Sequence, residues 1–335
     1  MNYRFRALRC PAVFLLVAWF LLFYPAQNSA QDLCDVSIDD SSTADHCDSL
    51  GLSRGSKSNG TWGTLMQWSR HQGSSGGPDL NAPLVTDRPD FTEASSTVGR
   101  GIAQLEFGYT YTHDESGLIE SESHSYPEML LRYGILADWL EFRAAWNYTG
   151  LENEELSFSG SDDLYLGFKI GLTPQAGVLP EMALIPQMTV PTGNDAFTAD
   201  TVLPGLNWIY GWELNSCFST AGSTQLNRSV EGAADSAFTE WAQSWTVAAS
   251  FTDGVGGYAE WYGLFPHSAE FSETEHYMNG GFTFLFTNDL QLDIRGGVGL
   301  NDASDDYFLG TGLSCLLYTS PSPRDLSTSR MPSSA

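Results

Sequence analysis

Lysine is nearly missing from this chain: Lys57 and Lys169 are the only two in 335 residues. Basic residues total 15 against 41 acidic ones, for a formal charge of −26. That balance excludes nucleic acid as a partner, because phosphates need Lys and Arg to neutralise them. Long hydrophobic runs are also scarce. The run Ala12–Tyr24 is too short for a membrane-spanning helix, which needs about 20 residues, and no later segment reaches that length. Motifs of soluble enzymes are absent too. The six histidines (His46, His71, His113, His124, His267, His276) form no His-Glu-x-x-His pattern, and no Gly-x-Ser-x-Gly elbow occurs. On this reading the chain is no enzyme. No Cys-x-x-Cys or Cys/His cluster occurs, so neither a metal site nor a cofactor is expected.

What is present begins with an export signal. Arg4, Arg6 and Arg9 precede the short apolar run, and "PAQNSAQD" follows it. Residues 1–30 therefore read as a signal peptide, whose removal would leave a charge of −29. Export makes disulfides available, and Cys34 and Cys47 are close enough in sequence to pair; Cys217 and Cys315 lie far off. Residues 31–83 are rich in Ser, Gly and Asp and read as a flexible periplasmic leader or a loosely packed plug.

Glycine, at 33 residues, and aromatics, at 13%, suit strands and turns rather than helices. From Ile102 the residues alternate. Leu105, Phe107, Tyr109 and Tyr111 fall on one parity, Gln104, Glu106, Gly108 and Thr110 on the other. The same alternation recurs in twelve segments, near 102–112, 124–134, 139–149, 163–172, 181–190, 202–214, 216–227, 239–251, 255–265, 277–286, 290–300 and 306–314. Each is about nine to twelve residues, the length a tilted strand needs to cross a bilayer. The connections run long and short in alternation, from "DESGLIESES" and "ILAD" to "PHSAEFSETEH" and "TND". Tyr and Trp recur near strand ends, as at Trp139, Tyr148, Trp241 and Trp261. Together these features predict an all-β, transmembrane, antiparallel up-and-down barrel of about twelve strands over 84–314, with lipid covering the apolar face.

Parity places Glu106, Glu128, Arg132, Glu141, Arg143, Lys169, Glu213, Glu240, Glu260, Asp293 and Arg295 on the inner wall. They read either as cross-strand ion pairs that rigidify the barrel or as a charged eyelet that biases which solutes pass. Ahead of the first strand, "TDRPDFTE" holds Asp87, Arg88, Pro89 and Asp90. It reads either as a turn fixed by Pro89 or as a segment tucked into the periplasmic mouth, where its charges pair with the lumen and constrict the pore. The long loops carry acids and no Lys or Arg, among them Asp114, Glu120, Glu122, Glu154, Glu273, Asp305 and Asp306. That is either a solvated surface or an anionic mouth that concentrates cations.

"TDRPDFTEASSTVGRGIAQLEFGYTY" at 86–111, "TVPTGND" at 189–195 and "YAEWYGLFP" at 258–266 resemble the outer-membrane barrel family named for the meta-pathway of phenol degradation. The resemblance covers roughly 84–314 and implies an exported bacterial barrel with a transporter role, passing small solutes that include hydrophobic or aromatic compounds. Such families tend to end on a strand with a terminal aromatic. Here "CLLYTSPSPRDLSTSRMPSSA" follows, and Pro321 and Pro323 cannot continue a ladder. Residues 315–335 therefore read as foreign sequence, and Cys315 as a thiol without a biological partner. The expected partners are outer-membrane lipid and small solutes, and the expected location is the outer membrane of a Gram-negative-type cell. The competing reading is a non-conducting structural or adhesive barrel with acidic, cation-binding loops.

Overall fold

The computed structural model describes residues 63–66, 82–116, 119–153, 156–231 and 236–318. The expected signal peptide and the Cys34–Cys47 pair lie outside the described residues, as do 319–335 and most of the expected leader. Alternating segments become the strands β1 (Ile102–Ser116), β2 (Ile119–Gly134), β3 (Leu140–Asn153), β4 (Ser157–Ser161) and β5 (Leu164–Thr173). They continue as β6 (Glu181–Val190), β7 (Leu203–Glu213), β8 (Phe218–Glu231) and β9 (Ser236–Thr252). The remaining wall is β10 (Val255–His267), β11 (Glu275–Thr287), β12 (Leu290–Gly299) and β13 (Tyr307–Tyr318).

Apart from β4 and β5, each strand pairs antiparallel with its sequence neighbours, and β13 returns to β1 over Ile102↔Tyr318 to His113↔Tyr307. The sheet is therefore a closed barrel with no free edge, which is how a β-structure satisfies its backbone inside lipid. Thirteen segments make twelve wall positions. Both β4 and β5 pair with β3, one above the other, with Asp162 and Asp163 between them.

Two boundaries differ from expectation. The outer "loops" at 113–123 and 227–237 are largely strand, because β1, β2, β8 and β9 stay paired beyond the apolar band. The last strand runs past Ser314 to Tyr318. Cys315, Leu316 and Leu317 complete the ladder opposite Leu105, Gln104 and Ala103. Cys315 is a free thiol and Cys217 is disulfide-bonded.

The interior is inverted relative to a soluble core. Among the largest fully buried side chains are Arg132, Arg143, Lys169, Glu106, Glu141, Glu260 and Asp293, whereas Trp208, Trp245, Phe282, Leu309 and Leu313 are exposed on the outer face. Apolar surface of this kind, facing out from a closed barrel, is covered by lipid, so the protein is an outer-membrane barrel. Asp253-Gly254 and Asn288-Asp289 make the tightest turns and mark the short-turn rim. At that rim residues 63–66 lie against β5, with Leu65 and Met66 N–H donating to the carbonyls of Gly171 and Leu172, each at 2.8 Å.

Candidate functional site

Between Leu84 and Gly101 the chain is neither wall nor leader but a strap inside the barrel. Both its ends sit at the short-turn rim: Leu84 N–H donates to the Asn288 carbonyl and Gly101 N–H to the Gly134 carbonyl, each at 2.8 Å. Between them it climbs. The Phe91 ring stacks on Tyr262, with centroids 4.5 Å apart and planes 4° from parallel. Tyr262 lies seven residues above Val255, which at ~3.3 Å per residue and a ~40° tilt is roughly 18 Å up the wall.

Polar contacts hold the strap at three heights. Low in the barrel, Asp87 meets three cations on neighbouring strands: Lys169 Nζ at 2.7 Å, Arg132 Nε at 3.1 Å and Arg143 Nη1. Its carboxylate also accepts the Ala94 N–H at 3.0 Å, which closes a turn within the strap. Around this node Arg132 forks onto Glu141 at 2.8 and 3.0 Å and reaches Glu106 at 3.3 Å. Arg143 reaches Glu93 of the strap at 2.8 Å. Three cations thus face four carboxylates, all but Glu93 almost fully buried, and each is charge-paired. That is the condition for keeping ions buried.

Higher up, Arg88 bonds Glu128 at 2.6 Å and approaches Asp293 at 3.4 Å. Arg295 donates to the Pro89 carbonyl at 3.0 Å and to Thr110 Oγ1 at 2.8 Å. The wall leaves a niche for Arg88. Gly108 and Gly312 face each other across β1 and β13, and a Cβ on either would collide with the guanidinium. On the opposite wall Glu260 accepts the Phe91 and Thr92 N–H groups, each at 2.7 Å, and Asn279 Nδ2 at 2.8 Å.

Of the residues expected on the inner wall, Glu106, Glu128, Arg132, Glu141, Arg143, Lys169, Glu260, Asp293 and Arg295 converge on this strap. Glu240 and Glu213 do not. Glu240 is half-buried nearer the outer rim, Glu213 is exposed at the short-turn rim, and neither forms an ion pair among the described residues. Asp87 and Arg88 pair with lumen charges. Asp90 departs from that expectation: its carboxyl sits beside Glu260, bonded to the Thr246 hydroxyl, with no cation partner among the described residues.

Parity already places Gln104 beside Glu106 on the inner face, but sequence reasoning missed Glu93, Ser95 and Glu181. Ser95 Oγ donates to Glu181 at 2.8 Å, and Gln104 binds both the Val85 carbonyl and Glu106 at 2.9 Å. Glu181 lies on the polar parity of its strand and could have been found there. Beside the strap, along β2, β3 and β5, the barrel has a cavity of about 430 Å³, lined among others by Glu93, Glu128, Arg143, Asn147, Asp162 and Tyr165.

A family model described as "Putative MetA-pathway of phenol degradation" matches residues 86–317. The chain belongs to this family. The match starts at Thr86, one residue before the charged node of the strap, so the family's shared sequence includes the strap as well as the wall. No curated protein matches the chain in sequence.

Similar solved structures include the NanC porin, with 9% identity, a TM-score of 0.41, and coverage of 64% of this chain and 98% of that one. The translocator domain of the autotransporter NalP from Neisseria meningitidis gives 11% identity, a TM-score of 0.44 and coverage of 65% and 88%. OmpT of Vibrio cholerae gives 10% identity, a TM-score of 0.37 and coverage of 64% and 96%. The exclusion of enzymes drawn from missing motifs does not hold. A barrel can assemble a reactive site from residues on separate strands, where no local motif would reveal it, so the lack of soluble-enzyme motifs excludes nothing.

Proposed function

We propose that the protein is an outer-membrane channel or transporter for small solutes, closed in its resting state by the strap 84–101. The observation that carries this reading is how the lumen is filled. Twelve strands enclose more space than wall side chains fill, since about eight strands is the limit for that. Here the filling comes from a separate segment, tethered at one rim and held by ion pairs and hydrogen bonds. Water can replace such contacts group by group, so the strap can leave without exposing an apolar core.

The cavity beside the strap is within the range of small-molecule sites. Its acids and the Tyr165 ring suit a small solute with hydrogen-bonding groups, hydroxylated aromatics included, which agrees with the family description. The outer loops, in which Arg228 is the only Lys or Arg among the described residues, are acidic and favour cations at the mouth. A second reading, a non-conducting barrel with cation-binding loops, is favoured by the filled lower lumen itself. Uptake into proteoliposomes separates the two. A hydroxylated aromatic ammonium ion should enter several-fold faster than the matching sulfonate and faster than into protein-free vesicles. Entry no faster than into protein-free vesicles would favour the non-conducting barrel.

A further inference from the structure

We infer that the outer ends of β1 and β2 carry a binding site for a divalent transition-metal ion on the lipid-facing side of the wall, formed by His113, Glu120 and Glu122. This site is separate from the lumen and does not depend on the transport reading. Register assembles it. His113 pairs directly with Glu122 across the two strands, and Glu120 follows on the same face, two residues along β2. One ligand atom from each of the three lies within 4.8 Å of the others.

The imidazole provides the second observation. The His113 side chain is 15% exposed, but its Nδ1 atom is shielded and has no hydrogen-bond partner among the described residues, and the nearest Glu120 oxygen, at 3.8 Å, is too distant to bond it. A ring nitrogen facing two carboxylates with no hydrogen bond to either is a ligand atom that a cation placed between them would satisfy. Neighbouring side chains hold two of the ligands in place. Tyr111 donates its hydroxyl hydrogen to Glu122 Oε1 at 2.8 Å, and the Tyr307 ring packs 5.0 Å from the imidazole. Partners of this kind usually orient metal ligands.

Charge points the same way. No Lys or Arg lies in 112–124, and Glu115 and Asp306 add further negative charge beside the cluster. One nitrogen with carboxylate oxygens suits Zn²⁺ or its first-row neighbours, whereas Ca²⁺ takes oxygen alone. Ligand atoms around Zn²⁺ stand roughly 3.3–3.6 Å apart, given bonds of about 2.0–2.2 Å. The set must therefore close by about 1 Å, and the Glu120 side chain, 54% exposed, is free to do so.

The test is a Zn²⁺ titration of the folded barrel in detergent against a chromophoric chelator. One ion should bind per barrel. His113→Ala and Glu122→Gln should each weaken binding at least about tenfold. Glu273→Gln, in another acidic loop, should leave it unchanged, and a large excess of Ca²⁺ should not displace the ion. Heat-resistant gel mobility shows that each variant is folded. A wild-type barrel that binds no Zn²⁺, a His113→Ala barrel that binds as tightly as wild type, or ready displacement by Ca²⁺ would each overturn the site.

Discussion

Asp87 spreads two carboxylate oxygens over three cationic side chains and one backbone amide. Removing its charge leaves Lys169, Arg132 and Arg143 crowded together with less to oppose them. Truncating one member of a buried ionic set commonly costs about 3–5 kcal/mol. Gly312 acts on the same strap from the wall. A Cβ there would displace Arg88 and stand 2.7 Å from the Asp293 carboxylate. Asp87→Asn and Gly312→Ala should both raise the exchange rate of the Phe91 and Thr92 amides by about tenfold or more, since each disrupts charge-assisted bonds worth ~1.5–3 kcal/mol. Gly150→Ala, where an added Cβ finds its nearest neighbour at 4.0 Å, should leave those amides unchanged. Protection unaltered in both variants would mean that these contacts do not hold the strap. Parity in the sequence was enough to place Lys169 and Arg132 inside. It could not show that Asp87 binds them, because the partners are 45 to 82 residues apart in the chain and only closure of the barrel brings them together.

At the scale of single elements, strand number and direction were legible because each wall strand repeats the same two-residue period over its length. Where the strands end was less legible. The hairpin at 113–123 is polar on both faces, so nothing in its pattern separates paired strand from loop once the chain leaves lipid. The break between β4 and β5 has a local cause. Asp163 accepts the Thr192, Gly193 and Ala199 amides at 3.0, 3.0 and 2.9 Å, and so ties the wall to the next loop instead of continuing the ladder.

The turn 300–306 between β12 and β13 yields a prediction of its own. Burial first, then the charges of Asp114 and Asp306, push the Asp305 carboxyl above the usual carboxylate range. The unfolded loop keeps an ordinary value, so folding takes up a proton at pH values between the two. The loop is therefore most stable on the acid side and loses stability as pH rises through the raised value. Amide exchange at Ser304 and Asp305, corrected for the intrinsic rate, should slow between pH 7 and pH 4. Asp305→Asn should be protected at both pH values. Faster corrected exchange on acidification would contradict this assignment.

The whole molecule combines a wall made by nearest-neighbour pairing with a filling that arrives from one end. Ladder closure by β13 gives the wall a stability independent of the strap, because every strand except the short β4 has two partners whether the lumen is full or empty. The strap gains most of its contacts from wall charges that water would otherwise solvate. This separation lets a barrel be durable while its closure is reversible. The twelve-strand architecture was readable from alternation and loop lengths. The closed lower lumen was readable only as one of two alternatives, because "TDRPDFTE" has the composition of an exposed turn and its burial depends on charges supplied by distant strands.

Single-channel recording decides the central claim most directly. The intact barrel and a variant lacking residues 84–93 are compared in a planar bilayer under a salt gradient, both shown to be folded by heat-resistant mobility. The strap account predicts rare or small steps from the intact barrel. From the deletion it predicts frequent, larger steps with a cation-biased reversal potential. A folded deletion variant that stays silent, or that conducts no differently from the intact barrel, would contradict it.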